Sequence, residues 1–187
     1  MSENAKEAII EAARRAAQAH GYGGLNFRDI GAEVGIKAAS IYHHFPSKAD
    51  LGAAVAKRYW ENTAAELEAL AETAGDPLKA LQAYPQIFRR TLEAENRMCL
   101  SSFMAAEYDD LPDAVKTEVQ KFAEVNVAWL ARMLAAAAST PPETCETKAR
   151  AIYAAVAGAQ LMARSRADLG LFDALIESFR ESGLIPR

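Results

Sequence analysis

The sequence predicts an all-α protein of about nine helices, and three features of its 187 residues carry that reading. Alanine and other strong helix formers dominate, while Gly and Pro are scarce. Apolar residues recur at three- and four-residue spacing, and no stretch reads convincingly as a strand. Capping pairs such as Ser47 with Asp50, and stops such as Gly35, punctuate the pattern.

Composition narrows the setting. No run approaches ~18 uncharged apolar residues, so no transmembrane span is expected. The opening MSENAKEAII has acids and neither a basic leader nor an apolar signal core. Cys99 and Cys145 are the two cysteines, which fits reduced thiols in a cytoplasm rather than a disulfide framework. The net charge of −4 is unevenly spread. Residues 1–58 hold eight Lys/Arg against six Asp/Glu, a net +2, and leave −6 for the remainder. All three histidines lie in the same first third. That asymmetry is compatible with a small DNA-reading head on an acidic body, and equally with ordinary variation in surface charge.

Taken in order, the first helix should run from about Asn4 to His20, with Ile9, Ala12 or Ala13, Ala16 and Ala17 inward and Arg14, Arg15 and Gln18 outward. Gly21, Gly23 and Gly24 end it. Asn26 caps a second helix in which Ile30 and Val34 share a face, and Asp29 completes a capping-box variant. Gly35 stops that helix, and a short third one should span Ala38–His44 with Ile41 in the core. Phe45 and Pro46 close it. Helix, glycine-containing turn and short helix is the pattern of a DNA-binding helix-turn-helix, although any all-α core can contain it. Ser40, Tyr42, His43 and Lys48 can all donate to phosphate oxygens.

The segment IYHHFPSK, preceded by GIKAAS, resembles the operator-binding segment of the TetR/AcrR family of bacterial transcriptional regulators. Residues 9–58 resemble that family's whole N-terminal domain, with the GY turn, RDI, GI, IYHHF and SK-DL in order. The resemblance implies a DNA-contact set of Asn26, Arg28, Lys37, Ala38, Ala39, Ser40, Tyr42, His43 and Lys48. It departs from the family at Lys37-Ala38-Ala39, where a Ser or Thr cap and a Lys-Gly pair are common, so no operator sequence can be read off. Ala38 or Ala39 can touch a thymine methyl, and Lys37 can reach guanine or phosphate.

Ser47 and Asp50 start a long helix from Lys48 to about Ala74, ended by Gly75-Asp76-Pro77. The next should run from Pro77 to about Glu95, kinked or split at Pro85. Met98–Tyr108 reads as a short apolar helix, and Pro112 opens another that reaches Ala138. Thr140-Pro141-Pro142-Glu143 has the capping-box form for a helix ending near Arg166. Gly170–Ser182 makes the last helix, stopped by Gly183.

Two domains are expected: residues 1–50 as the helix-turn-helix domain and 51–187 as a ligand-binding and dimerisation domain. A mainly apolar cleft with a few polar groups is how small-molecule sites are lined. Candidate lining residues are Tyr59, Trp60, Asn62, Tyr84, Phe88, Met98, Cys99, Phe103, Tyr108, Phe122, Asn126, Trp129 and Tyr153, on faces that read as largely buried. Each is also an ordinary core residue by spacing, and the resemblance is what favours a pocket for the set. Ala154 and Gly158, with Leu161, Leu171, Phe172, Leu175 and Phe179, form a face that in the resembling family pairs with its copy in a homodimer. Some members of that family sense electrophiles through a cysteine, which places Cys99 among sensor candidates beside the reading as an inert buried thiol.

No nucleophile–base set, phosphate loop or metal cluster is present, so neither enzyme, cofactor nor metal is expected. The expected function is a ligand-responsive regulator, most simply a repressor. It would bind palindromic double-stranded operator DNA as a homodimer, without membrane association, and be released by a small-molecule effector. The alternatives are an all-α small-molecule carrier or a cysteine-based electrophile sensor.

Overall fold

The computed structural model describes residues 2–138 and 140–187. The chain forms α1 (Ser2–His20), α2 (Phe27–Val34), α3 (Ala38–His44), α4 (Lys48–Ala74), α5 (Pro77–Ala83), α6 (Pro85–Glu93), α7 (Leu100–Ala106), α8 (Asp113–Ala136), α9 (Cys145–Arg166) and α10 (Leu169–Glu181). No strand occurs among the described residues. Pro85 has no N–H to bond the preceding turn, so it divides one expected helix into α5 and α6. Tyr84 between them keeps helical backbone angles (φ −48°, ψ −43°), and the pair counted as one kinked helix makes nine.

Two compact units are distinguished, Met1–Asn62 with Leu100–Phe122, and Thr63–Cys99 with Ala123–Arg187. Both α4 and α8 contribute residues to each.

The first unit is built on α1, α2 and α3. Ile9, Ala13 and Ala17 of α1 meet Phe27 and Ile30 of α2, Ile41 of α3 and Phe45 beyond it. Leu51 and Val55 of α4, Leu100 and Met104 of α7, and Val115 and Val119 of α8 complete this core. Asn26 caps α2 by accepting the N–H groups of Arg28 (2.8 Å) and Asp29 (3.3 Å). Ser47 Oγ accepts the Asp50 N–H (3.1 Å) at the start of α4. Gln18, expected outside, is buried and accepts a hydrogen bond from Arg14, because α1 packs on more of its circumference than its alanine stripe. Gly35 ends α2 in a left-handed conformation (φ 77°).

The approach of α3 to α2 requires Gly31. The Ile36 N–H donates to Gly31 O at 2.9 Å. A Cβ on Gly31 would lie 2.8 Å from Ile36 O and 3.3 Å from Ala38 N, both backbone atoms with little freedom to move.

The second unit packs α6 against α9 and α9 against α10. The Gln160 amide on α9 ties α6 and Cys99 to it: Nε2 donates to Phe88 O (2.8 Å) and Thr91 Oγ1 (2.5 Å), and Oε1 accepts the Cys99 N–H (3.0 Å). Asp168 caps α10 by accepting the Leu171 N–H (3.1 Å). The helix expected from Thr140 starts later, at Cys145, after a 3-10 turn Pro142–Thr144. Pro142 lacks one of the two N–H groups that a Thr140 cap would bond, and Thr140 Oγ1 is instead buried without a partner among the described residues. α7 is also shorter than expected, ending at Ala106 before a 3-10 turn at Tyr108–Asp110.

Gly31→Ala should destabilise the protein by about 1–3 kcal/mol through overpacking. The intrinsic helix preference of Ala over Gly, about 1 kcal/mol, works in the opposite direction. Urea unfolding measures the net effect, and a variant as stable as the parent would contradict the close α2–α3 approach.

Candidate nucleic-acid interface

A shallow cleft of about 340 Å³ in the first unit is lined by Leu25, Asn26, Phe27, Arg28, Ala38, Tyr42 and Lys48. It therefore gathers Asn26, Arg28, Ala38, Tyr42 and Lys48 of the expected contact set from α2, α3 and α4. Tyr42 is 56% exposed, yet its ring rests on Phe27 with centroids 4.6 Å apart. Phe27 is itself in the core, so an exposed phenol is held on a fixed base. The Lys48 ammonium donates to Gly23 O at 3.2 Å and sits 4.7 Å from the Tyr22 ring centroid. An ammonium has three donors, so this arrangement leaves others for a second acceptor. Asn26 Oδ1 is occupied by the cap, which leaves its amide NH₂ as the group available to a ligand.

Lys37, Ala39, Ser40 and His43 are exposed and lie outside that cleft lining. Lys37 is the N-cap residue of α3 and makes no side-chain cap bond. Other cations nearby are committed to acids: Arg14 to Glu11 (2.6 Å), Arg15 to Glu33 (2.6 Å), and Arg58 to Glu7. The Arg58 hydrogen bond lowers the Glu7 carboxyl below its ordinary range, and the Arg14 hydrogen bond does the same to Glu11.

Glu107, which no sequence motif singles out, accepts the Tyr22 N–H at 2.6 Å. Its partner is 85 residues away, and no local pattern signals the pair.

The expected ligand-lining residues divide between the two units. In the first, Tyr59 and Phe122 stack at 5.3 Å, and the Trp60 indole donates to Glu118 at 2.6 Å. Phe103 is half-buried there. Asn62 and Tyr108, read as lying on buried faces, are exposed. Tyr108 falls beyond the end of α7, where its ring meets the Lys116 ammonium (4.6 Å to the centroid).

In the second unit Tyr84 stacks on Trp129 (5.8 Å), packs against Phe88 (5.7 Å), and Phe88 meets Tyr153 edge-on (6.3 Å). The Tyr84 hydroxyl donates to Asn126 Oδ1 at 2.9 Å. Burial pushes the Tyr84 phenol well above its ordinary pKa, with smaller contributions from Tyr153 and Cys99, so it stays a neutral donor. Met98 and Cys99 are buried as well. The Trp129 indole N–H is buried without an acceptor among the described residues. The same side chain borders an open groove of about 340 Å³ with Ala64, Leu67, Glu68, Val125, Ala128 and Arg132. Arg89 and Arg90, which could have drawn an acidic ligand, pair with Asp173 (2.8 Å) and Glu66.

Of the expected dimer face, Ala154, Gly158 and Leu161 are exposed on α9, and Leu161 is 55% accessible. Leu171, Leu175 and Phe179 are half-buried on α10. Phe172 is 1% exposed and packs within its own unit.

A family model described as bacterial regulatory proteins, tetR family, matches residues 9–55. A comparison with curated protein sequences finds no match. Among solved structures, a TetR transcriptional regulator from Legionella pneumophila is 30% identical, with 95% of this chain and 96% of that one covered and a TM-score of 0.88. A TetR-family transcriptional regulator from Agrobacterium tumefaciens is 29% identical, with coverages of 97% and 98% and a TM-score of 0.89. The reduced form of NemR from E. coli shares the fold at 21% identity and a TM-score of 0.83, with 95% of this chain and 96% of that one covered. The chain belongs to the TetR family of transcriptional regulators.

Proposed function

We propose that the protein is a ligand-responsive repressor that binds a palindromic operator as a homodimer and is released by a small-molecule effector. Residues 1–50 serve as the DNA-reading domain and 51–187 as the ligand-binding and dimerisation domain, working in the cytoplasm. The observation that carries this reading is the cleft joining Arg28, Tyr42 and Lys48 beside the exposed face of α3. Arg28, Tyr42, Lys48, Ser40 and His43 anchor phosphates, with Asn26 as a further donor. Lys37, Ala38 and Ala39 at the start of α3 meet the base edges.

The homodimer reading draws on α9. Its face carries Ala154, Gly158, Leu161 and Met162, all exposed. A Cβ on Gly158 would find no atom within 4 Å, which leaves room for a second helix to approach closely. Two heads related by a twofold axis would engage successive major grooves about 34 Å apart. Leu171, Leu175 and Phe179 extend the face, and Phe172 supports it from beneath.

For the effector, the unpartnered N–H of Trp129, whose ring stacks on Tyr84, supports an apolar or aromatic ligand that brings a hydrogen-bond acceptor. Such a ligand lowers operator affinity only by favouring a conformation that DNA does not.

Three outcomes follow from this reading. Lys48→Ala should weaken binding to a duplex selected on the parent protein roughly five- to tenfold at 0.1 M salt, and Tyr42→Phe should weaken it less. Unchanged affinity in both would remove Lys48 and Tyr42 from the DNA contact, and a parent that selects no duplex from a random-sequence pool would favour a carrier that does not use DNA. Leu161→Glu should turn the dimer into a monomer in analytical ultracentrifugation, and a dimer that persists would move the interface elsewhere. A thermal-shift screen of neutral aromatic compounds bearing a carbonyl acceptor should find stabilisers that lose their effect in Trp129→Phe. Stabilisers that leave duplex binding intact would sink the effector-release mechanism.

A further inference from the structure

We infer that Glu107 is a positioning residue for DNA binding, acting through the Tyr22–Gly24 turn to hold Lys48 in place for a phosphate. The inference rests on the reading of Lys48 as a phosphate contact. Tyr22 is the first residue of a 3-10 turn, so its N–H has no partner within the turn. Glu107 supplies one, with its carboxylate 2.6 Å from that nitrogen. The fit is close on both sides. Gly21 adopts φ 69° and ψ −166°, a region essentially reserved for glycine. A Cβ there would lie 2.3 Å from Glu107 Oε2. Turn and carboxylate are therefore shaped around each other.

The turn then grips Lys48. The Tyr22 ring lies so close to α4 that a Cβ at Gly52, one helical turn after Lys48, would come 2.7 Å from Tyr22 Cε2. Its centroid is 4.7 Å from the Lys48 ammonium, and Gly23 O accepts from the same ammonium at 3.2 Å. A lysine left to itself samples many rotamers, and ordering it on binding costs entropy. Here a π-face and a carbonyl order it beforehand, and both belong to the turn that Glu107 caps. Removing the carboxylate frees the Tyr22 N–H, loosens the turn and returns Lys48 to its rotamer ensemble.

The test uses the full-length protein and a fluorescent duplex recovered from a random-sequence pool by selection on the parent. Affinity is measured over a salt series for the parent, Glu107→Ala, Glu107→Gln, Lys48→Ala and the Glu107→Ala/Lys48→Ala double variant. Glu107→Ala should lose roughly five- to tenfold in affinity at 0.1 M salt, with a salt slope shallower by about one per head. The double variant should match Lys48→Ala, because both changes remove the same contact. Glu107→Gln should stay near the parent, since its amide oxygen still accepts the Tyr22 N–H. A parental slope in Glu107→Ala, losses that multiply in the double variant, or a Gln variant as weak as Ala would overturn the role. If Glu107→Ala does not fold, Tyr22→Leu keeps the N–H and removes the ring, and the same slope and double-variant comparison with Lys48→Ala decides. Parental binding by Lys48→Ala would remove the phosphate reading and Glu107's role with it. A parental Glu107→Ala beside a defective Lys48→Ala would remove Glu107's role alone.

Discussion

What α3 can do depends on how so short a helix is held. Its seven residues are too few to be stable as an isolated helix in water. Ile41 is the residue it buries fully, and Phe45 just beyond adds a second anchor four positions on. Together with the Ile36–Gly31 backbone bond, these fix the helix in position and in rotation about its axis. Because successive residues on a helix turn by about 100°, anchoring positions 41 and 45 inward leaves Ser40, Tyr42 and His43 facing out. Packing and recognition are thus the same constraint seen from two sides, and Gly31 is where it is tightest.

That constraint is local, which is why it was legible. Asn26, Gly35, Ile41, Phe45, Ser47 and Asp50 signal caps, stops and core over a short span through rules that involve neighbours three or four apart. The same logic correctly located α4 and the interruption at Pro85. It failed where two local rules competed. Thr140 had the spacing of a capping box, but Pro142 removed one of the donors that the cap needed, and the helix began at Cys145 instead. It also overran the end of α7, which left Tyr108 outside the helix on which its expected burial depended.

The polar interior was not legible, for a different reason. Glu107 meets Tyr22 across 85 residues, Gln160 meets Cys99 across 61 and Tyr84 meets Asn126 across 42. A glutamine in a helix reads as surface until the partner that satisfies it is known, and Gln18 and Gln160 are both buried. The aromatic residues posed the converse problem. Helical spacing marked Tyr84, Phe88 and Trp129 as inward, but the same spacing serves a packed core and a ligand site alike. What distinguishes them is an unsatisfied donor such as the Trp129 N–H, and satisfaction is a property of the folded chain.

The distribution of charge ties the proposed dimer to DNA binding. The net charge of +2 over residues 1–58 overstates what that segment can offer a duplex near the cleft. Among the described residues, Arg14, Arg15, Arg58 and Lys57 face Glu11, Glu33, Glu7 and Glu61, and Lys6 lies over the Phe45 ring. Arg28 and Lys48 line the cleft of α2–α4, and Lys37 lies exposed at the start of α3. Phosphate neutralisation supplies most non-specific affinity, so one head with so few such cations would hold DNA weakly at cellular salt. In the proposed dimer, two heads joined through α9 would make the second contact intramolecular, and its effective concentration would replace charge that neither head carries. An acidic body can then favour solubility without opposing DNA binding, and an effector needs only to make simultaneous engagement of both heads unfavourable.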